Sequence, residues 1–372
     1  MGTSERRVRV GTGKKIGPSF QGFFSASSVS VHDGARAVII VTFQDKYLFR
    51  GGNYMKPARS ALITGGAGFI GSHMADELIA DGWEVAVLDN LETGKRENLE
   101  HLRGDPRLTF VEGDVSDKDI LKGLLEGRDA VFHFAAMVSV PLSVEMPEKC
   151  HRNNITAFSD LIIAMKDMDI PLIYASSAAV YGNRDEGLRH EDEIPLPMSP
   201  YGASKAINEI QAACAAKVWG LDPVGFRFFN VYGPRQDPFG PYASVIPRFC
   251  HALSTGRRPV IFGDGNQTRD FVYVRDLTSI LLKMCEKAHM NRGRVFNLAT
   301  GTSMSVNELL ILISGIMGSF VTEERLPERA GDIKMSSADI TLLTEAIGRP
   351  AFTDIGPALS VTAQWYRDNY RN

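Results

Sequence analysis

The run Thr64-Gly65-Gly66-Ala67-Gly68-Phe69-Ile70-Gly71 narrows the choice of fold more than any other feature of the chain. It follows an apolar stretch at 61–64 that reads as a buried strand, and it opens an amphipathic stretch at 69–81 that reads as a helix. Glycines at 65, 68 and 71 allow a sharp turn between the two and let the helix sit close against the strand. The alternation then continues, with strands at 84–88, 108–112, 130–134, 172–175 and 223–229, and helices near 117–125, 154–166 and 200–219. A βαβα order of this kind implies a mostly parallel sheet with helices on both faces.

The chain has 372 residues, which suits two domains or one large α/β domain with additions. Residues 1–57 read as an N-terminal extension outside the core fold, with a basic, Gly-rich start and one possible strand at 37–43. Residues 58–229 read as the sheet-building domain, with later segments returning to it. After Asn230 the density of proline and glycine rises, and 230–372 reads as a smaller α/β domain that builds a site. Forty-one basic against 44 acidic residues give no electrostatic footprint for nucleic acid. The longest apolar stretch, 309–317, is too short to span a bilayer, so a soluble, cytoplasmic protein is expected. Cys150, Cys214, Cys250 and Cys285 are widely spaced without a CxxC pair, so reduced thiols are expected and no metal site.

The glycine loop has a chemical reading as well as a structural one. Its backbone can approach a pyrophosphate, and the amides of Phe69 and Ile70 at the helix start can meet the phosphates. Asp89 ends the next strand, 18 residues beyond Gly71, where a carboxylate accepts from both hydroxyls of an adenosine ribose and repels a 2′-phosphate. The combination predicts a Rossmann-type doubly wound sheet that binds NAD rather than NADP. Asp114, after the third strand, can bind the adenine edge or cap the helix that follows.

Tyr201 and Lys205 stand at i and i+4 of one predicted helix and share a face. An ammonium close to a phenol favours the phenolate, so Tyr201 is expected to have a lowered pKa and to act as a base. Alone the pair is common. Here a strand runs into Ser176 and Ser177 at the carboxyl end of the sheet, where a bound ligand would meet their hydroxyls.

Together these segments resemble an extended short-chain dehydrogenase/reductase of the UDP-hexose 4-epimerase type. The resemblance is carried by GGAGFIGS, VLDNL, GDV, HFAA, YASSAAVYG, SPYGASK, RFFNVYGPRQ, GDGNQTRDFVYV and RAGD, and spans about 58–372. It implies that Tyr201 is the base, that Lys205 tunes it and holds the nicotinamide ribose, and that Ser177 binds the sugar 4-hydroxyl. Asn90, Val115, Ala135 and Ala136 would line the cofactor. Asn230 would be the substrate-binding asparagine and Arg269 and Arg329 would hold the nucleotide diphosphate, although without the resemblance Arg269-Asp270 reads as a local ion pair and Arg329 as a solvated charge.

Within that family, dehydratases and decarboxylases carry acids directly after the catalytic hydroxyl, where this chain has Ala178 and Ala179. The site is therefore expected to oxidise and reduce C4 of a UDP-sugar and nothing more. Ser336 occupies the position of a gate beside the hexose, and its small size implies room for an N-acetyl group. Ser139 is expected to touch the sugar, and Ser244 and Val245 to line the substrate site, with Ser244 standing where narrow-specificity relatives carry an asparagine. The reading is thus a UDP-N-acetylglucosamine or UDP-glucose 4-epimerase. The alternatives are a UDP-glucuronate epimerase or decarboxylase and a catalytically silent NAD-binding regulator. A homodimer is expected through the helices at 154–166 and 200–219, by way of Leu161, Ile162 and Ile210 unless these face the sheet.

Overall fold

The computed structural model describes residues 58–183, 187–239, 243–328 and 334–370, together with four short strands ahead of them. Those strands form two antiparallel pairs, Ala26–His32 with Val38–Phe43 and Leu48–Arg50 with Asn53–Met55. Met1–Ala58 and Arg59–Asn372 are separate compact units.

The second unit is built on a seven-stranded sheet of β1 (Ser60–Thr64), β2 (Glu84–Asp89), β3 (Leu108–Glu112), β4 (Ala130–His133), β5 (Pro171–Ser177), β6 (Asp222–Phe228) and β7 (Val295–Leu298). All its pairings are parallel, in the order β3-β2-β1-β4-β5-β6-β7. The order reverses between β1 and β4, which opens a crevice at their carboxyl ends. The principal helices are α1 (Phe69–Ala80), α2 (Lys118–Leu125), α3 (Ala157–Ala164), α4 (Pro200–Trp219), α5 (Val245–Ser254), α6 (Val274–Cys285), α7 (Val306–Met317) and α8 (Ile355–Tyr370).

Every residue of β1 is buried, as expected of a central parallel strand covered on both sides. Alternate residues serve opposite faces. Ile63 joins Val87 and Phe132 under Leu78 of α1 and Leu277 of α6. Leu62 joins Leu88 and Val131 under Leu121 of α2, Phe158 of α3 and Ala212 of α4. Each such large apolar side chain contributes roughly 1.5–3 kcal/mol on leaving water. A third cluster, with Phe249 of α5, Leu309 of α7 and Leu359 and Tyr366 of α8, is built from residues beyond 230 within the same compact unit. Both α6 and β7 lie beyond residue 230, so part of the C-terminal region completes the first layer.

The segment expected as one helix at 154–166 begins instead as a π-helical turn, His151–Thr156, before α3. Buried Asn154 lies in that turn; its side chain bonds both backbone groups of Met137 and the Ser204 hydroxyl, and its carbonyl accepts from Asn208. The expected dimer residues need correction. Leu161 and Ile162 are buried against the sheet, because the phase of α3 turns them inward, and the outward residues are Ile163 on α3 and Ile207, Ile210 and Val218 on α4. The four cysteines are free thiols, and no helix of the described residues is long and apolar enough to cross a membrane.

Candidate active site

The loop between β1 and α1 can be formed only by glycine at several points. Gly65 has φ +70°, and a Cβ there would lie 2.6 Å from the Ala135 amide nitrogen. A Cβ on Gly71 would run into the carbonyl oxygen of Gly65. Helix α1 opens on Gly68 with no side chain capping it and no acid in its first turn, so the start of the helix, at Phe69 and Ile70, is left open to an anion. Asp89 is buried at the mouth of this loop, where its carboxylate accepts from the amides of Ala67 at 2.9 Å and Leu91 at 2.8 Å. Each oxygen retains a lone pair for a further donor.

Asp114 does not cap the following helix. That role falls to Asp117, which accepts from Asp119 and Ile120, while Asp114 accepts from the Ser116 amide and hydroxyl and from Asn90 at 2.7 Å. These bonds hold its pKa below the ordinary carboxylate range against the opposing effect of burial. Val115 is buried, and Ala135 and Ala136 continue from β4 beside Gly65. The cradle therefore fits a dinucleotide: a glycine turn, an open helix start and a fixed acid follow one another along the crevice.

The second part of the site lies where β5 meets α4. Ser177 ends β5, and its Oγ accepts from the Ala179 amide at 3.2 Å to start the 3-10 turn Ala178–Tyr181. Helix α4 starts at Pro200, with Ser199 as its cap, and the Tyr201 amide donates to Ser143 Oγ at 3.1 Å. The Ser177 side chain lies near enough to the Tyr201 phenol to favour its ionised form. Lys205 is buried, with its Nζ donating to the Ala175 carbonyl at 2.9 Å and lying 6.0 Å from the centroid of the Tyr201 ring. Ser177, Tyr201 and Lys205 are thus brought together, whereas Ser176 is buried and turned to Glu209.

The electrostatics differ from the sequence expectation. Burial raises the pKa of Tyr201 above the ordinary 10 despite the opposing effect of Ser177, and burial lowers Lys205 to about 8. The dry setting penalises both charges more than the ammonium helps the phenolate. The two groups are thus close together, with burial opposing the charged form of each. His133 on β4 is a further group not singled out by the sequence: its Nδ1 lies 2.7 Å from Thr64 Oγ1, and burial together with Lys205 lowers its pKa to about 3, leaving a neutral ring.

A cavity of about 230 Å³ lies among residues beyond 229, and its lining includes Asn230, Ser244, Val245, Arg248, Phe262 and Arg269. Asn230 donates from its side chain to the Asp270 carbonyl at 3.1 Å, and Arg269 donates to the Thr268 carbonyl at 2.9 Å. The Asp270 carboxylate accepts from Thr300 and Gly301, and burial raises its pKa to about 6. Arg248, packed over the Phe262 ring, adds a cation that sequence spacing did not reveal. Ser139 caps the short helix Val140–Glu145, and half-buried Ser336 pairs by backbone with Arg269; neither lines this cavity. Arg329 lies outside the described residues.

Residues 61–299 match the model of the NAD dependent epimerase/dehydratase family. The chain belongs to that family. A UDP-N-acetylglucosamine 4-epimerase from Methanobrevibacter ruminantium, solved with UDP-N-acetylmuramic acid, is 42% identical with a TM-score of 0.80, over 84% of this chain and 99% of that one. A UDP-glucose 4-epimerase of Mycolicibacterium smegmatis is 35% identical over 310 residues, 82% of this chain and 98% of the relative. A UDP-glucuronic acid 4-epimerase from Bacillus cereus, solved with UDP-glucuronic acid and NAD, is 29% identical with a TM-score of 0.78, over 84% and 100% of the two chains. As a member of the NAD dependent epimerase/dehydratase family the chain is an NAD-dependent enzyme of nucleotide-sugar type, with a Rossmann-type extended short-chain dehydrogenase fold. The residues that would hold NAD are the glycine loop, Asp89, and Lys205 beside Tyr201.

Proposed function

We propose that the protein interconverts the C4 epimers of a UDP-hexose through a transient 4-keto sugar, and that it accepts UDP-N-acetylglucosamine as well as UDP-glucose. The carrying observation is the composition of the site: Ser177, Tyr201 and Lys205 converge, and the turn directly after Ser177 presents Ala178 and Ala179. No acid or base stands there to take a proton from carbon or to manage a carboxylate. Bound NAD supplies the acceptor, and later the donor, for the hydrogen at C4. Tyr201 takes the proton from the 4-hydroxyl, and Ser177 orients that hydroxyl and relays the proton. Lys205, with Ala175 as its one protein acceptor among the hydrogen bonds of the described residues, directs its remaining protons to the cofactor ribose and supports the phenolate that burial alone disfavours.

The cavity at Asn230, Arg248 and Arg269 takes the nucleotide diphosphate, which anchors the substrate while the ketone turns its other face. Arg329 is assigned to the same diphosphate on sequence grounds, Ser139 to the sugar, and the small Ser336 to the space beside the hexose. The outward apolar residues Ile163, Ile207, Ile210 and Val218 on neighbouring helices support association of two copies. The test incubates purified protein with each nucleotide sugar and separates the products. The 4-epimer is expected from both, and absence of either epimer, release of carbon dioxide or a stable keto product would overturn the reading.

A further inference from the structure

Helix α4 carries Tyr201, Lys205 and Glu209 at successive spacings of four, so Glu209 is the natural ion-pair partner of Lys205. Its carboxylate is engaged elsewhere. Oε1 accepts from Arg227 Nε at 3.0 Å and from Ser176 Oγ at 2.5 Å, and Oε2 accepts from Arg227 Nη2 at 2.8 Å. Arg227 comes from β6, its third nitrogen donates to the Glu191 carbonyl at 3.2 Å, and its guanidinium lies 4.7 Å from the centroid of the Tyr181 ring, in the turn that follows Ser177. The side chains of Arg227 and Glu209 are 4% and 8% exposed. A buried ion pair is often no more stabilising than an apolar substitute, so its presence beside reacting groups calls for another account.

We infer that Arg227 and Glu209 are positioning residues: the planar fork of Arg227 occupies both oxygens of Glu209, keeps that carboxylate away from Lys205, and fixes the end of β5 and its turn so that Ser177 meets Tyr201. The inference rests on the proposed catalytic roles of those three residues. It explains why Lys205 has a backbone carbonyl rather than a carboxylate as its acceptor. The charged or titratable groups about Lys205 are then Tyr201 on its own helix, His133 from β4 and Cys150 at the end of the short helix Pro147–Cys150, with Glu209 held off by Arg227.

The test is the pH dependence of kcat/KM of the NAD-loaded enzyme with the nucleotide sugar on which it is active. Arg227→Met strands a carboxylate within reach of Lys205, and a negative charge there opposes ionisation of Tyr201. The limb that rises with pH is expected to move upward by about one pH unit, with kcat at neutral pH reduced by about 10-fold to 100-fold and KM little changed. The double variant Arg227→Met/Glu209→Gln removes the stranded charge and is expected to return the limb to its original position. If Arg227→Met fails to fold, Arg227→Lys, which keeps the charge but loses the fork, is expected to shift the limb in the same direction. An unmoved limb in the folded variant overturns the inference. Tyr201→Phe separates the two levels: if it retains turnover the catalytic reading itself fails, and if it is inactive while the limb of the Arg227 variant stays in place only the positioning role fails.

Discussion

Tyr201 and Lys205 lie close together, yet the buried site works against the charge of each. Replacing Tyr201 by phenylalanine removes the proton acceptor and little else, so turnover is expected to fall by about 10²-fold to 10⁴-fold with NAD affinity retained, measured by product assay and by cofactor titration. Lys205 offers a stability test with a definite sign. Its folded pKa, near 8, lies below the ordinary 10.5, so between those values the unfolded chain binds the extra proton and stability rises with pH. Below that window the buried ammonium costs on the order of 3 kcal/mol. Lys205→Met is therefore expected to melt at a higher temperature at neutral pH while losing turnover, and an unchanged or lower melting temperature would contradict the burial account. Sequence spacing placed Tyr201 and Lys205 on one helix face and Ser176 and Ser177 at a strand end, because helix periodicity and strand ends are local properties, while the choice of Ser177 came from the resemblance. It could not reveal the pKa directions, which depend on how completely the sheet and the π-helical turn exclude water from the pair. Nor could it show that Arg227 on β6 reaches across to Glu209, a contact between residues 18 apart in sequence.

At the scale of elements, the β1–α1 connection was the most legible part of the chain, since each glycine answers a steric demand that its spacing announces. Substitution tests this directly. Gly71→Ala places a methyl group against the Gly65 carbonyl within backbone that cannot yield, and is expected to abolish NAD binding and lower stability by about 1–3 kcal/mol, read by cofactor titration and thermal melting. The boundaries of α1, β3 and α4 followed from apolar periodicity and capping residues, with Ser199 and Pro200 marking the start of α4 as a cap and a first-turn proline should. The stretch near 154–166 was less legible, because a buried asparagine set its local geometry through partners on Met137, Ser204 and Asn208. The phase of α3 was open for a related reason: Leu161, Ile162 and Ile163 are consecutive, and a continuous apolar run does not say which of its members face the sheet.

For the whole molecule, that phase decides where a second copy could bind. With Leu161 and Ile162 committed to the core, the apolar surface left on α3 and α4 centres on Ile163, Ile207 and Ile210, the last 69% exposed. Ile210→Glu is expected to convert a dimer into monomers in sedimentation at micromolar concentration without lowering the melting temperature of the monomer; a mass unaffected by the substitution would place any interface elsewhere. The order in which the layers are supplied has a further consequence. Helix α6 and strand β7, which roof α1 and finish the edge of the sheet, come from 274–298, long after the last of the first six strands has been made. A ribosome releasing the chain at residue 229 would deliver a half-clad sheet with sticky flanks. The early and late parts of this one compact unit are thus inseparable in manufacture, and truncated versions belong with chaperones rather than in solution.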